Sequence, residues 1–197
     1  MKKIAIFASG NGSNFQAIHD AVQAGTLRAE IKLLVCDKPG AFVTERAKKA
    51  GVPVLEFSPK LYTSKAEFET MIHEELQKKD VDYIVLAGYM RLIGSVLLDY
   101  YPERIINIHP SLLPAFPGMD AIGQAVDAGV KVTGVTIHFV NEGMDTGPII
   151  AQKAIEILDE DTKEEVERKV HEIEHAFYPE TLDRLFEEKR SMEGAAE

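Results

Sequence analysis

The run Ile4-Ala5-Ile6-Phe7-Ala8-Ser9-Gly10-Asn11-Gly12-Ser13-Asn14 sets the architecture. Its first five residues are apolar without alternation, the mark of a strand covered on both faces in a parallel sheet. A glycine-rich turn ends that strand, and Phe15-Gln16-Ala17-Ile18 opens a helix reaching about Ala24. Strand, glycine turn and helix together make an anion cradle. The glycines bring the backbone close, and the free N–H groups of the first helical turn face the ligand. The turn has neither the Lys of a P-loop nor the spacing of a dinucleotide fingerprint, so it suits a single phosphate better than a nucleotide cofactor. The plainer alternative is a tight turn with Ser13 or Asn14 as the helix N-cap.

The same alternation continues outward. Strands are predicted over 31–36, 52–57 and 83–86, with helices over 42–50 and 65–78 between them, which argues for an α/β parallel sheet with right-handed crossovers. Past the fourth strand, Ala87-Gly88-Tyr89-Met90-Arg91-Leu92-Ile93-Gly94 suits either the lining of a flat aromatic ligand or ordinary core packing. Residues 133–140 alternate, with Thr136 and His138 on the less apolar face. A loop of residues 141–148 and a strand over 149–154 follow. Together they predict a hairpin-like pair at the sheet edge with Asp145 at its tip. Val166, Val170, Ile173 and Phe177 then mark an amphipathic helix with Glu174 beside the apolar stripe. Pro179 is expected to kink or interrupt that helix, and 191–197 to be a frayed tail.

Bulk properties narrow the classes. The chain has 197 residues, 45% hydrophobic, enough for one sizeable core and an expected single domain over 1–197. A formal charge of −10 argues against nucleic acid or an anionic membrane as the main partner, though not against a small anionic substrate. The lone Cys36 allows no intrachain disulfide, and no apolar run reaches membrane-spanning length. A cytoplasmic protein is expected.

Candidate chemistry centres on Ile105-Ile106-Asn107-Ile108-His109-Pro110-Ser111-Leu112-Leu113-Pro114. Strand periodicity puts Asn107 and His109 on one face at a strand's carboxyl end. There both could donate to one oxygen as it gains charge, or Asn107 could cap a turn while His109 bonds backbone. His171 and His175 stand four apart without the rest of a metal motif, and there is no nucleophile elbow. Asn107, His109 and Asp145 remain: two donors and a carboxylate. They suit a transfer in which an amine attacks a carbonyl through a tetrahedral oxyanion and loses a proton.

These motifs carry a family resemblance. Residues 107–114, Gly118, Gln124-Ala125, Thr133-Gly134-Val135-Thr136, His138 and Asp145-x-Gly147-Pro148 resemble the folate-dependent formyltransferases, and Gly10-Asn11-Gly12-Ser13-Asn14 looks like the subgroup acting on glycinamide ribonucleotide. The resemblance runs from Ile4 to about Pro179. It implies a Rossmann-like, mostly parallel sheet with helices on both faces and an antiparallel edge strand in the carboxyl-terminal part. It further implies a phosphate- and substrate-binding half over 1–100 and a folate-binding, catalytic half over 101–190. The implied reaction moves the formyl group of 10-formyltetrahydrofolate, a co-substrate, to the amine of glycinamide ribonucleotide in purine biosynthesis. No metal, nucleic acid or membrane is expected to take part, and a monomer or homodimer is expected.

Carried onto this chain, the resemblance makes Asn107, His109 and Asp145 catalytic. It assigns Gly12, Ser13, Asn14, Met90, Pro110 and Glu174 to the ribonucleotide. Folate falls to Lys65, Met90, Arg91, Leu92, Ile93, Asn107 and the loop Val140, Asn141, Glu142, Gly143, Met144, Asp145, with phosphate the alternative partner of Lys65. His171 replaces a polar amide, and Lys65 an arginine, of some relatives. Formyltransferases acting on methionyl-tRNA would be expected to add a basic carboxyl-terminal domain, whereas residues 180–197 are net acidic. A formyltetrahydrofolate hydrolase would be expected to carry a small domain ahead of the first strand, and a non-catalytic sensor would not need Asn107, His109 and Asp145 together.

Overall fold

Strand β1 (Lys2–Ala8) splits its apolar run between two cores: Ile4, Ile6 and Ala8 enter one cluster, Ala5 and Phe7 another on the opposite face. That is the consequence of a two-residue side-chain period in a strand buried on both sides. Residues 1–194 are described in the computed structural model. After β1 come α1 (Ser13–Gln23), β2 (Ala29–Cys36), α2 (Phe42–Lys49), β3 (Val54–Glu56), α3 (Lys65–Lys78), β4 (Tyr83–Leu86), α4 (Ser95–Tyr100) and β5 (Ile105–His109). The chain continues through α5 (Ala121–Asp127), β6 (Val132–Phe139), β7 (Ile149–Glu156) and α6 (Lys163–Gly194). Seven strands form one sheet in the order β3-β2-β1-β4-β5-β6-β7.

Pairings are parallel from β3 to β5, and antiparallel from β5 to β6 and β6 to β7. The reversed strand is β6, second from the edge. On one face α1, α2 and α6 contribute Phe15, Ile18, Val43, Ala47, Val170 and Phe186; on the other α3 and α4 contribute Phe68, Ile72, Leu76 and Leu97. Helices on both sides of a largely parallel sheet fit the α/β alternation read from the sequence and the Rossmann-like arrangement that the resemblance implied. Among the described residues no helix is long and apolar enough to cross a membrane.

The structure departs from the sequence expectations in three places. The third strand is three residues long rather than six. Gly12, in the left-handed region at φ 79, occupies the N-cap of α1, so neither Ser13 nor Asn14 caps it. Helix α6 runs through Pro179 without interruption. One backbone bond is forgone there, but packing on both sides holds the helix: Tyr178, Leu182, Leu185 and Phe186 all lie in the core. Of the tail expected at 191–197, residues 191–194 belong to α6, and 195–197 lie outside the described residues.

Tyr178 also ties α6 to the sheet. Its hydroxyl lies 3.0 Å from the Leu86 carbonyl and 3.1 Å from that of Ile106, sharing one proton between β4 and β5 where the site begins. Removing a buried donor costs about 1–3 kcal/mol. Tyr178→Phe should therefore lower the unfolding free energy by that amount, seen as a lower urea midpoint at unchanged m-value; an unaltered midpoint would show that the hydroxyl contributes nothing.

Candidate active site

On the α3 and α4 face the apolar cluster ends at Ile105, the first residue of β5. The next side chains on that face are Asn107 and His109. Directly across the antiparallel pair stand His138 and Thr136, in register Asn107↔His138 and His109↔Thr136. Residues opposite one another in such a pair project to the same side, so four polar side chains gather where apolar packing stops.

Each is held. Thr136 Oγ1 donates to the Ser111 carbonyl at 2.6 Å and accepts from Leu113 N at 3.0 Å and Gln152 Nε2 at 3.0 Å, fixing the turn that leaves β5. His138 Nδ1 donates to the Phe139 carbonyl at 2.9 Å. Its Nε2 therefore carries the lone pair of the neutral ring and accepts from Asn107 Nδ2 at 3.2 Å, which leaves the second amide hydrogen of Asn107 for another acceptor. Burial holds His138 below the usual histidine range and the charge of His109 acts the same way, opposed by the Phe139 hydrogen bond and Asp145. His109 Nε2 lies 2.9 Å from the Phe116 carbonyl and Nδ1 3.4 Å from Asp145 Oδ2. With an acceptor at each nitrogen, the ring donates to both only as the imidazolium.

Asp145 arrives from the loop between β6 and β7, which folds back over this face. Asn141 Oδ1 braces the loop, accepting from Gly143 N at 3.1 Å and Thr146 Oγ1 at 2.9 Å. Gly147 packs where a Cβ would meet the Phe139 carbonyl. Asp145 sits in the left-handed region at φ 55, which Asp tolerates better than most residues. Its Oδ2 accepts from Gly118 N at 2.7 Å, and its Oδ1 lies 3.7 Å from His138 Nε2. The carboxylate thus faces both histidines but can accept a proton only from His109, because His138 Nε2 presents a lone pair.

The glycine turn lies at the carboxyl end of β1. Gly12 is buried, and a Cβ there would collide with Val43 of α2. Arg46 of the same helix donates to the Asn11 carbonyl at 2.9 Å and to Asn11 Oδ1 at 3.1 Å. Asn14 Nδ2 donates to Glu174 Oε2 at 3.1 Å, while Asn14 Oδ1 is buried without a partner, an acceptor in want of a donor. Burial raises the Glu174 carboxyl above the ordinary range, opposed by the Asn14 hydrogen bond and by the charges of His171 and His109. Glu174 is therefore tied to the glycine turn through Asn14.

Comparison with known proteins fits this arrangement. The formyl transferase family profile matches residues 2–182. A phosphoribosylglycinamide formyltransferase of Bacillus subtilis is 58% identical over 94% of this chain and 95% of its own. This chain belongs to the formyl transferase family. Among solved structures, a glycinamide ribonucleotide transformylase from Geobacillus kaustophilus superposes with TM-score 0.92 at 58% identity, covering 94% of this chain and 98% of that one. A phosphoribosylglycinamide formyltransferase from Bacillus halodurans gives 0.91 at 56% identity, covering 93% and 95%.

In this formyl transferase the residues singled out from sequence fall into three groups. Asn107, His109 and Asp145 converge with His138 as described. Gly12, Ser13 and Asn14 open α1, and Asn14 reaches Glu174 on α6. Met90 and Leu92 are apolar yet exposed, Ile93 is buried, and Pro110 is half-buried beside His109. Asn141, Glu142, Gly143 and Met144 are exposed on the Asp145 loop, and Val140 is half-buried. Lys65 lies at the start of α3, 4.0 Å from Glu69, whose carboxylate accepts from Gly94 N at 2.7 Å. His171 is exposed on α6, its ring stacked 6.4 Å from that of His175. Among the described residues no group of three or more His, Cys, Asp or Glu side chains is placed to hold a metal ion. Sequence reading missed His138 as a partner of Asn107, and Arg46, Ser9 and Asp37 altogether. His138 carried a signal, standing two residues from Thr136 on the less apolar face; the other three carried none.

The depressed His138 gives a testable sign. Unfolded chains protonate this ring near its ordinary pKa of about 6.5 while the native state resists, so acid favours unfolding. Wild type should lose stability relative to His138→Gln as pH falls through about 6.5, levelling off below the native pKa. Denaturation curves for both proteins between pH 8 and 5 check it; a constant difference would mean that His138 is not held neutral.

Proposed function

We propose that Asn107, His109 and Asp145 carry the reaction of this phosphoribosylglycinamide formyltransferase, the transfer of the formyl group of 10-formyltetrahydrofolate to the amine of glycinamide ribonucleotide. The observation that carries the assignment is Asp145 seated between His109 and His138, with Asn107 oriented by His138. The amine nitrogen bonds to the formyl carbon and the carbonyl electrons move to oxygen. That oxyanion takes the free Asn107 N–H and a proton-bearing nitrogen of His109. For His109 Nε2 to serve, its bond to the Phe116 carbonyl is exchanged for one to substrate. The amine then gives up a proton through the His109–Asp145 pair, the folate nitrogen receives one, and its bond to carbon breaks as the carbonyl re-forms. One proton passes from amine to folate, and no side chain is covalently modified.

Substrate positions follow the same logic. The glycine turn and the first N–H groups of α1 take the phosphate, within residues 1–100 of a single 1–197 domain; the catalytic groups lie within 101–190. Glu174 and the unpartnered Asn14 Oδ1 suit donors on the ribonucleotide. The exposed apolar Met90, Leu92 and Met144 suit a pterin ring, and Lys65, tethered beside Gly94, is assigned to folate rather than phosphate.

Incubation of 10-formyltetrahydrofolate with glycinamide ribonucleotide, followed by the folate absorbance change, should give turnover that requires both substrates. Folate loss without the amine would make the protein a hydrolase instead. Gly12→Val strains a left-handed residue and drives a side chain into Val43. It should raise the ribonucleotide KM by about tenfold or more, as expected when several N–H donors to a phosphate are displaced, and leave folate affinity within a few-fold. A parallel loss of both affinities, or of neither, would remove the phosphate from this turn.

A further inference from the structure

We infer that Ser9 and Asp37 are positioning residues for folate, acting by bracing residues 90–93; this rests on the reading above that those residues line the pterin site. Asp37 follows β2 and Ser9 follows β1, and both are buried, 4% and 2% exposed. Ser9 Oγ donates to Asp37 Oδ1 at 2.5 Å and accepts from Met90 N at 3.0 Å. Ser9 N donates to the Gly88 carbonyl at 3.0 Å, and Arg91 Nε to Asp37 Oδ2 at 2.7 Å. The chain leaving β4 is thus held at residues 88, 90 and 91 by the ends of two neighbouring strands. At its far end Gly94 N is held by a second buried carboxylate, Glu69.

Such a brace needs a reason, because a buried carboxylate is costly unless paired, and apolar residues fill a core at less cost. Core packing does not supply one: Met90 is 68% exposed and Leu92 53%, and only Ile93 turns inward. Buried charge is being used to hold two apolar side chains out in water. That is the form of a preorganised apolar binding surface, whose ordering cost is met before the ligand arrives. The pairing also neutralises the Arg91 guanidinium, so Arg91 serves folate through the shape of its segment rather than as a cation for a carboxylate.

The test compares wild type with Ser9→Ala, Asp37→Asn, Arg91→Met, the double variant Asp37→Asn/Arg91→Met, and Leu92→Asp. Tetrahydrofolate binding is measured by titration, and KM and kcat with 10-formyltetrahydrofolate and glycinamide ribonucleotide. Ser9→Ala and Asp37→Asn should each weaken folate by about tenfold, the scale of one charge-assisted hydrogen bond, with ribonucleotide KM and kcat within about twofold. The double variant should be no worse than the poorer single, because both act through one contact. Additive losses would mean that Arg91 touches folate itself and would overturn the inference. So would normal folate affinity in folded Ser9→Ala, which decides the matter if Asp37→Asn does not fold. Leu92→Asp puts a carboxylate against the ring directly. If it alone loses folate, the pterin site stands and the brace falls; if it binds normally, the pterin lies elsewhere and both readings fall.

Discussion

The site depends on the antiparallel pairing of β6 with β5. A parallel neighbour would have lengthened the apolar sheet, with the chain returning through another helix. A reversed neighbour puts Thr136 and His138 across from His109 and Asn107 on one face, and its short connection to β7 folds over that face carrying Asp145. The register is demanding, because a one-residue slip would turn His138 into the α6-side core and Ile137 into the site. Both faces of β6 are buried, so the apolar Val135 and Ile137 on one side and the polar bonds of Thr136 on the other resist the slip together.

Around this pairing, charge is held by burial rather than left in water. Glu174 is lifted by burial, and His138 is kept low by it, so a carboxyl and an imidazole whose ordinary ranges lie apart are drawn toward each other. Asp145 is tethered by Gly118 N and flanked by two rings. The polar groups are fixed before substrate arrives, which is how donors in a partly dry site retain their strength at a developing oxyanion.

Much of this was legible in sequence because its signals are local. The unbroken run of β1 requires two covered faces, and Asn107 and His109 lie two residues apart on one strand. Glu174 reads as a neighbour of the apolar stripe of α6, and it is buried there. What was not legible is what joins distant elements. Ser9 and Asp37 are 28 residues apart, Asp37 and Arg91 54, and Asn11 and Arg46 35; each pair meets only because of the strand order or a helix crossing. Thr136 and His138 read only as the less apolar face of their strand because alternation reports polarity, and a buried polar knot has the same alternation as an exposed face. Pro179 read as a kink or an interruption because the helix rule is local, while the packing of Tyr178 and Leu182 that carries the helix through it is not.

The central claim is that Asp145 acts on the reaction through His109. A double-mutant cycle on the single-turnover rate, with both substrates saturating, tests it most directly. His109→Ala and Asp145→Asn should each slow formyl transfer by roughly 10²–10³ with little change in either Kd, the scale of losing one oxyanion donor. If the two share one proton path, the double variant should be little slower than the slower single. Losses that multiply in full, or that follow substrate affinity rather than rate, would contradict the shared path and reduce both residues to separate binding or packing roles.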